Sequence, residues 1–499
     1  MILGAGGRRS GTRRLALALV FALVLPGHAA QTAPARRRPA SGPRPLASAL
    51  NRIFNAPGLE HSYWSVVVRS LDTGETIFSR NAGKLMMPAS NMKVVTLAAA
   101  ADRLGWDYRF ETRLVSDAAI AGGVLGGDLV VVGSGDPSMN ARHDRAEKIL
   151  EDVAWQLREA GIRAIDGRVV ADDRLFTGPE IGGGWSWDYL QLGYAAPVNA
   201  LAYAENLVTI VMEPGAAAGE PARLEMTPTT TDLEVMNRAT TSVAGIGQTI
   251  ELQRERGSTR LDVVGTIPIG AQPLRRLAAV EDPGLSFARA LRDALLRHGI
   301  DVRGEAAEVP RGPSNPLEPP QTLARIVSPP LWEIATVLMK ISQNLYAEVL
   351  LRMIGGGTVE GGRKTVTELL TSWGIEPGRY VLADGSGLSR YNYVTANMLV
   401  AILERMYRET RHRERFMATL PIAGVDGTLE RRLRGTKAQD NLRAKTGSMA
   451  NARALSGYVR TAAGETLAFS IIANNFTLRG AVIDETTDRA VEAMANSRR

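Results

Sequence analysis

The chain has 499 residues, 45% of them hydrophobic and 22% charged, a soluble globular composition too long for a single core, so two or more domains are expected. It contains no cysteine, which excludes disulfides, thiolate metal sites and a cysteine nucleophile. The formal charge of +7 does not point to nucleic acid: residues 1–45 hold eight arginines and no acid, so the excess belongs to the leading segment.

In chain order, Arg8, Arg9, Arg13 and Arg14 precede the apolar run LALALVFALVL (15–25), and PGHAAQ offers small residues near Ala29 or Ala30. That is the pattern of a cleaved export signal, and the run is short for a bilayer span. Residues 1–30 are therefore predicted to be a signal peptide, and the Pro/Arg/Ala stretch 31–45 a disordered basic linker. The mature protein is expected outside the cytoplasm, periplasmic or loosely wall-associated, with no stable membrane span. Folding should start near Leu46. YWSVVVRSLDTGETIFSRN (63–81) reads as a hairpin around Asp72-Thr73-Gly74. SNMKVVTLAAAADRLG (90–105) reads as a buried helix closed by Gly105.

From about Phe110 to Pro320, short strand-like runs such as GDLVVVG and STRLDVVGTIPIG alternate with Gly and Pro, with helical patterns only at 145–162 and 286–300. Helices return from Pro329 to about Met417. The end holds two strand-like runs, 441–461 and 465–475, then a helix from about Ile483. The economical arrangement is α+β: one domain built from 46–112 and 325–499, its sheet joining the first hairpin to the last strands, interrupted by a β-rich insertion at 113–324.

Of the 59 basic residues only seven are lysines, so a lysine marks a place where arginine does not serve. One is Lys93, three residues after Ser90 and so on the same side of the predicted helix. Ser90 lies near the helix N-terminus, and a neutral Lys93 can accept its proton. Ser342-Gln343-Asn344 adds a second hydroxyl and an amide. Lys445-Thr446-Gly447-Ser448 opens a strand, where lysine and threonine can bind a carboxylate, glycine allows close approach, and the Ser448 N–H can complete an oxyanion hole with that of Ser90. Other features carry less. SGDPSMNARHD around His143 reads as a loop rather than a metal site, GGGT (355–358) as a helix stop, and the glycines at 182–184 as a flexible turn.

The ordered set S-x-x-K, S-x-N and K-T-G resembles the penicillin-binding protein and serine β-lactamase superfamily. The 249-position separation of Lys93 and Ser342 narrows the likeness to the serine-type D-Ala-D-Ala carboxypeptidase and endopeptidase family, the class C low-molecular-mass penicillin-binding proteins. GGDLVVVGSGDPSM (126–139), ADGSGLSRYN (383–392), LPIAGVDGTLERR (420–432) and LSGYV (455–459) extend the likeness across the mature chain. The resemblance implies a β-lactamase/transpeptidase-like domain, an antiparallel sheet with a helical region, interrupted by two small insertion domains. It implies Ser90 as acyl-ester nucleophile, Lys93 as proton acceptor and Ser342 as second catalytic serine. It also implies substrate binding by Asn344, Lys445, Thr446, Gly447 and Ser448, with Lys445 as carboxylate anchor.

An aspartate and a phenylalanine of the family's insertion reach the third residue of the substrate peptide, and VVADDRLF matches that stretch at Asp172 (or Asp173) and Phe176. Arg390 in GSGLSR matches a family arginine at the same end. Gln343 departs from a frequent acid. The implied partners are peptidoglycan stem peptides, with β-lactams as covalent inhibitors, and no cofactor or metal. The competing readings are a peptidoglycan-binding scaffold without turnover and a β-lactam sensor. The E-x-x-L-N tetrad of a class A β-lactamase is missing.

Overall fold

The computed structural model describes residues 45–140, 145–229, 231–310 and 321–498. The signal-peptide reading, the linker up to residue 44 and the loop at His143 fall outside the described residues. Among those residues, no helix is long and apolar enough to cross a membrane.

Five strands form the main sheet: β1 (Tyr63–Ser70), β2 (Thr76–Arg80), β3 (Arg443–Met449), β4 (Ala452–Arg460) and β5 (Thr466–Asn474). Their order is β2-β1-β5-β4-β3, with every neighbouring pair antiparallel. The first hairpin thus pairs with the last strand across some 400 residues of chain, as the split-domain reading requires. The central strand β5 is buried along its whole length, because alternate residues of a strand feed opposite faces. Leu467, Phe469 and Ile471 enter one core, and Ala468 and Ile472 the other.

Helices α1 (Pro45–Phe54) and, at the chain end, α6 (Gly480–Asn496) cover the first face. Leu46, Leu50 and Phe54 recur every four residues, which puts one apolar stripe of α1 on the sheet. The other face carries α2 (Met92–Leu104), α3 (Leu331–Lys340), α4 (Asn344–Met353) and α5 (Ala396–Arg408). Ten of the thirteen residues of α2 are buried. Its run of four alanines lets neighbouring helices pack closely on it, directly after the turn that carries Ser90.

The insertion leaves and returns through an antiparallel pair, Glu111–Ser116 with Gln321–Val327, which straddles the expected limits at 112/113 and 324/325. Two cores follow. One is α+β rather than purely β: a five-stranded mixed sheet packs against the helices Arg145–Glu159 and Pro283–Arg297. The other is all-β, two three-stranded sheets around Ile210, Leu261 and Val263.

Candidate active site

The turn Pro88-Ala89-Ser90-Asn91 leads into α2, with Ala89 held at φ 45°. A left-handed conformation costs a non-glycine residue roughly 1 kcal/mol or more, and its neighbours fix it here. Gly387 packs so closely that a Cβ on it would lie 1.8 Å from the Ala89 carbonyl oxygen. One helical turn on, Lys93 is wholly buried. Its Nζ donates to Ser90 Oγ (3.1 Å), Asn344 Oδ1 (2.6 Å) and the Ser386 carbonyl (2.8 Å). An ammonium has three N–H groups, and these three acceptors use them all.

Burial penalises the ammonium and brings the Lys93 pKa down to about 7, against the opposing pull of the Asp384 and Glu348 carboxylates. Glu348, on α4, is itself buried and pushed up to about 7, first by burial and then by Asp384. Its Oε1 accepts from the N–H groups of Gly385 and Ser386, which shapes the loop whose carbonyl receives Lys93. Arg352 lies beside it as the second buried cation.

Between α3 and α4 the chain turns through Ser342, at φ 63°, another left-handed non-glycine. That turn sets Ser342 Oγ 2.8 Å from Nζ of Lys445, on β3. Lys445 is fully buried and also donates to the Thr446 carbonyl. Burial, and then the nearby charge of Lys93, depress its pKa well below the usual lysine range. Lys445, the expected carboxylate anchor, is therefore buried behind the cleft wall, and its side-chain partner there is Ser342. Gly447 is closely packed as well. A Cβ on it would lie 2.6 Å from the Pro88 carbonyl oxygen and 3.0 Å from Asn91 Nδ2, so this glycine admits the protein's own backbone. Asn91 Nδ2 also donates to the Lys445 carbonyl, fastening β3 to the turn that carries Ser90.

Ser90, Ser342, Asn344 and Ser448 line one cleft of about 870 Å³. Lys93 and Lys445 lie behind its wall, and Thr446 and Gly447 lie on the same strand segment as Ser448. Asp172 and Phe176 do not reach this cleft. The strand Val169–Asp172 is an inner strand of the insertion's own sheet, flanked by Leu129–Val132 and Ala306–Glu308. Asp172 is tied to Arg174 (2.6 Å), Asp173 accepts from Asn199, and Phe176 packs against Gly135 beside a separate cavity. Arg390 is half-buried beyond the cleft, its backbone N–H donating to the Gly184 carbonyl.

The insertion reaches the cleft with Tyr189 and Tyr194 instead, on the short turns Trp187–Tyr189 and Gly193–Ala195. The signal was present in the sequence as an aromatic cluster, WSWDYLQLGY, directly after the glycine run. Asn344 Nδ2 donates to the Tyr194 carbonyl (2.7 Å) and Gln343 Nε2 to Glu205 (2.9 Å), so the S-x-N segment is held by the insertion. Trp185 Nε1 donates to Asp384 (2.9 Å) and adds a third fastening. Elsewhere, Asp102, Glu409 and His412 gather closely enough to suggest a metal centre. Arg411 already donates to both carboxylates, however, and the Trp106 indole donates to His412 Nδ1, which puts the imidazole proton on Nε2. That cluster ties α2 to the helix Thr410–Thr419.

Comparison with known proteins gives the same reading. The family model described as the D-Ala-D-Ala carboxypeptidase 3 (S13) family matches residues 46–497. A D-alanyl-D-alanine carboxypeptidase of Actinomadura sp. (strain R39) is 36% identical over 485 residues, 94% of this chain and 88% of that protein. The D-alanyl-D-alanine carboxypeptidase DacB of Haemophilus influenzae is 28% identical, over 84% of this chain and 86% of its own length. The crystal structure of penicillin binding protein 4 (dacB) from Haemophilus influenzae superposes with a TM-score of 0.77 at 27% identity, covering 89% of this chain and 97% of that one. With the cleft and its motifs in place, the chain belongs to the D-Ala-D-Ala carboxypeptidase 3 (S13) family of peptidases.

Proposed function

We propose that this protein hydrolyses the terminal D-Ala-D-Ala bond of peptidoglycan stem peptides through an ester on Ser90. The carrying observation is the convergence of three distant segments: Lys93 Nζ within hydrogen-bonding reach of both Ser90 Oγ and Asn344, and Ser342 bonded to Lys445 across the same cleft. Neutral Lys93 takes the Ser90 proton as Oγ bonds to the penultimate carbonyl carbon. The oxyanion is received by the N–H groups of Ser90 and Ser448. As the C–N bond breaks, Ser342 passes a proton to the departing D-alanine amine, drawing on the lysine pair behind it. Water then adds to the ester by the reverse proton path, releasing the shortened peptide and the serine. The substrate carboxylate is placed at the Thr446 and Ser448 end of β3, in the field of Lys445.

A D-Ala cross-link presents the same leaving amine, so cleavage of cross-links is assigned as a companion activity. β-Lactams enter as covalent inhibitors. A relative from Haemophilus influenzae, penicillin binding protein 4, is known in complex with a β-lactam. The leader residues favour export, and the substrate is outside the cytoplasm.

The test is a fluorescent penicillin followed by purified muropeptides. Wild-type protein is expected to take the label, Ser90→Ala to lose it, and pentapeptides to release D-alanine. A folded protein that takes no label reverts to the scaffold reading, and one that takes label without releasing D-alanine becomes a sensor.

A further inference from the structure

The cleft does not end at the reacting serine. Past Ser448 it follows the β3–β4 turn, Met449-Ala450-Asn451, to Arg453, Phe476, Leu478 and Gly480. The direction of the substrate decides what lies there. With its C-terminal carboxylate toward Lys445 and Thr446, and its penultimate carbonyl between Ser90 and Ser448, the peptide runs antiparallel to β3. Its upstream residues therefore pass Met449. In an extended peptide successive side chains point to opposite sides. The third residue of the stem turns toward Tyr189 and Tyr194, and the group before it turns the other way, toward α6.

Arg453 occupies that side. It stands opposite Ser448 in the β3–β4 register, so its side chain leaves the sheet on the same face as that serine's. Its Nη1 donates to the carbonyls of Met449 (2.7 Å) and Ala452 (3.0 Å), and its Nε lies 3.8 Å from Asp484. Asp484 is shared with Arg432, which has its own closer partner in Asp488 at 2.6 Å. Arg453 Nη2 has no acceptor among the described residues. It sits against Gly480, where a Cβ would lie 2.1 Å from it, so the glycine leaves room for the guanidinium at the cleft wall. A fixed guanidinium with a free donor edge suits a carboxylate, and Phe476 and Leu478 limit access of water to the pair.

We infer that Arg453, with Gly480 and the wall formed by Phe476 and Leu478, is a subsite for a carboxylate carried by the donor peptide immediately upstream of its third residue. This rests on the carboxypeptidase reading above. It makes the enzyme discriminate stems bearing the free acid at that position from stems in which it is a carboxamide. Amidation removes the negative charge and leaves the guanidinium facing a weaker acceptor.

Two synthetic peptides ending in D-Ala-D-Ala, identical except for acid or amide at that position, test it through the ratio of their kcat/KM values. The wild type should favour the acid about tenfold, the scale of one charged hydrogen bond. In Arg453→Gln the ratio should fall toward one, and Arg453→Lys should keep part of it. Gly480→Ala, which retains the arginine but crowds its guanidinium, should also lower it. Because the ratio is taken within each protein, a general loss of folding or turnover cancels. A wild-type ratio near one overturns the inference without any variant, and so does a preference that survives in Arg453→Gln. If neither peptide is cleaved by the wild type, the carboxypeptidase reading itself has failed.

Discussion

Lys93 shows how much one burial decides. A lysine on the surface would be charged at neutral pH and useless as a base, whereas burial brings this one to about 7. In the proposed mechanism the free amine is the active form, so reactivity is gained as pH rises through that value. The second-order rate of penicillin acylation should climb about tenfold per unit below pH 7 and level off above it. A rate that stays flat down to pH 5 would remove Lys93 from the role. Lys93→Arg keeps the charge but cannot give up its proton, and labelling should slow by roughly a thousandfold. Glu348 is the less obvious residue. Its carboxylate favours the Lys93 ammonium, so Glu348→Gln should lower the lysine pKa and move the acid limb of the same profile to lower pH. An unmoved limb would mean that Glu348 only shapes the 385–386 loop. S-x-x-K is readable from spacing alone, but Glu348 is not: it lies 255 positions from Lys93, and only the packing of α4 on α2 brings the two together.

At the scale of elements, the site is made by close approach. β3 comes within bonding distance of the turn that carries Ser90 because Gly447 has no side chain to hold it off. Gly447→Ala should cost about 1–3 kcal/mol by overpacking against backbone that cannot move freely. It should also depress penicillin labelling more than the loss of thermal stability accounts for, because the strand that carries Ser448 is pushed outward. A normal labelling rate in that variant would contradict this account of the glycine. The helices and strands bearing the three motifs were legible from period and composition, and α2 falls where the alanine-rich run and Gly105 predicted it. The helix α1 was not, because ten residues after a Pro/Arg-rich stretch give a short pattern that only the sheet beneath makes worthwhile.

For the molecule as a whole, the insertion helps to line the candidate cleft rather than standing apart from it. Trp185 reaches out of it to Asp384, a buried carboxylate that also accepts from the N–H groups of Gly387 and Ser389 and from Asn392. Trp185→Phe keeps the ring but deletes this donor, and should destabilise by about 1–3 kcal/mol for a buried acceptor losing a partner. It should also loosen the turns that carry Tyr189 and Tyr194, so KM for a stem peptide should rise. An unchanged urea midpoint and KM would show the indole to be a passive contact. The placement of Asp172 and Phe176 belongs to this scale. Both sit in a stretch that matches the family locally, but the strand they end is enclosed in the insertion's own sheet, and the segment that reaches the cleft comes about fifteen residues later.

Chemistry that depends on neighbours along the chain was written in the residues: the serine and lysine on one helical face, the strand opened by Lys-Thr-Gly, and a domain divided between the two ends of the sequence. Chemistry that depends on neighbours in space was decided by folding. Helical and strand periods constrain residues a few positions apart, whereas which insertion loop covers the cleft, which lysine faces solvent and which carboxylates surround the base follow from how separate cores pack. Local pattern carries no information about those distances, so Glu348 and Arg453 became visible only when the chain had closed on itself, and the aromatic cluster around Tyr194 could not by itself show that it lines the cleft.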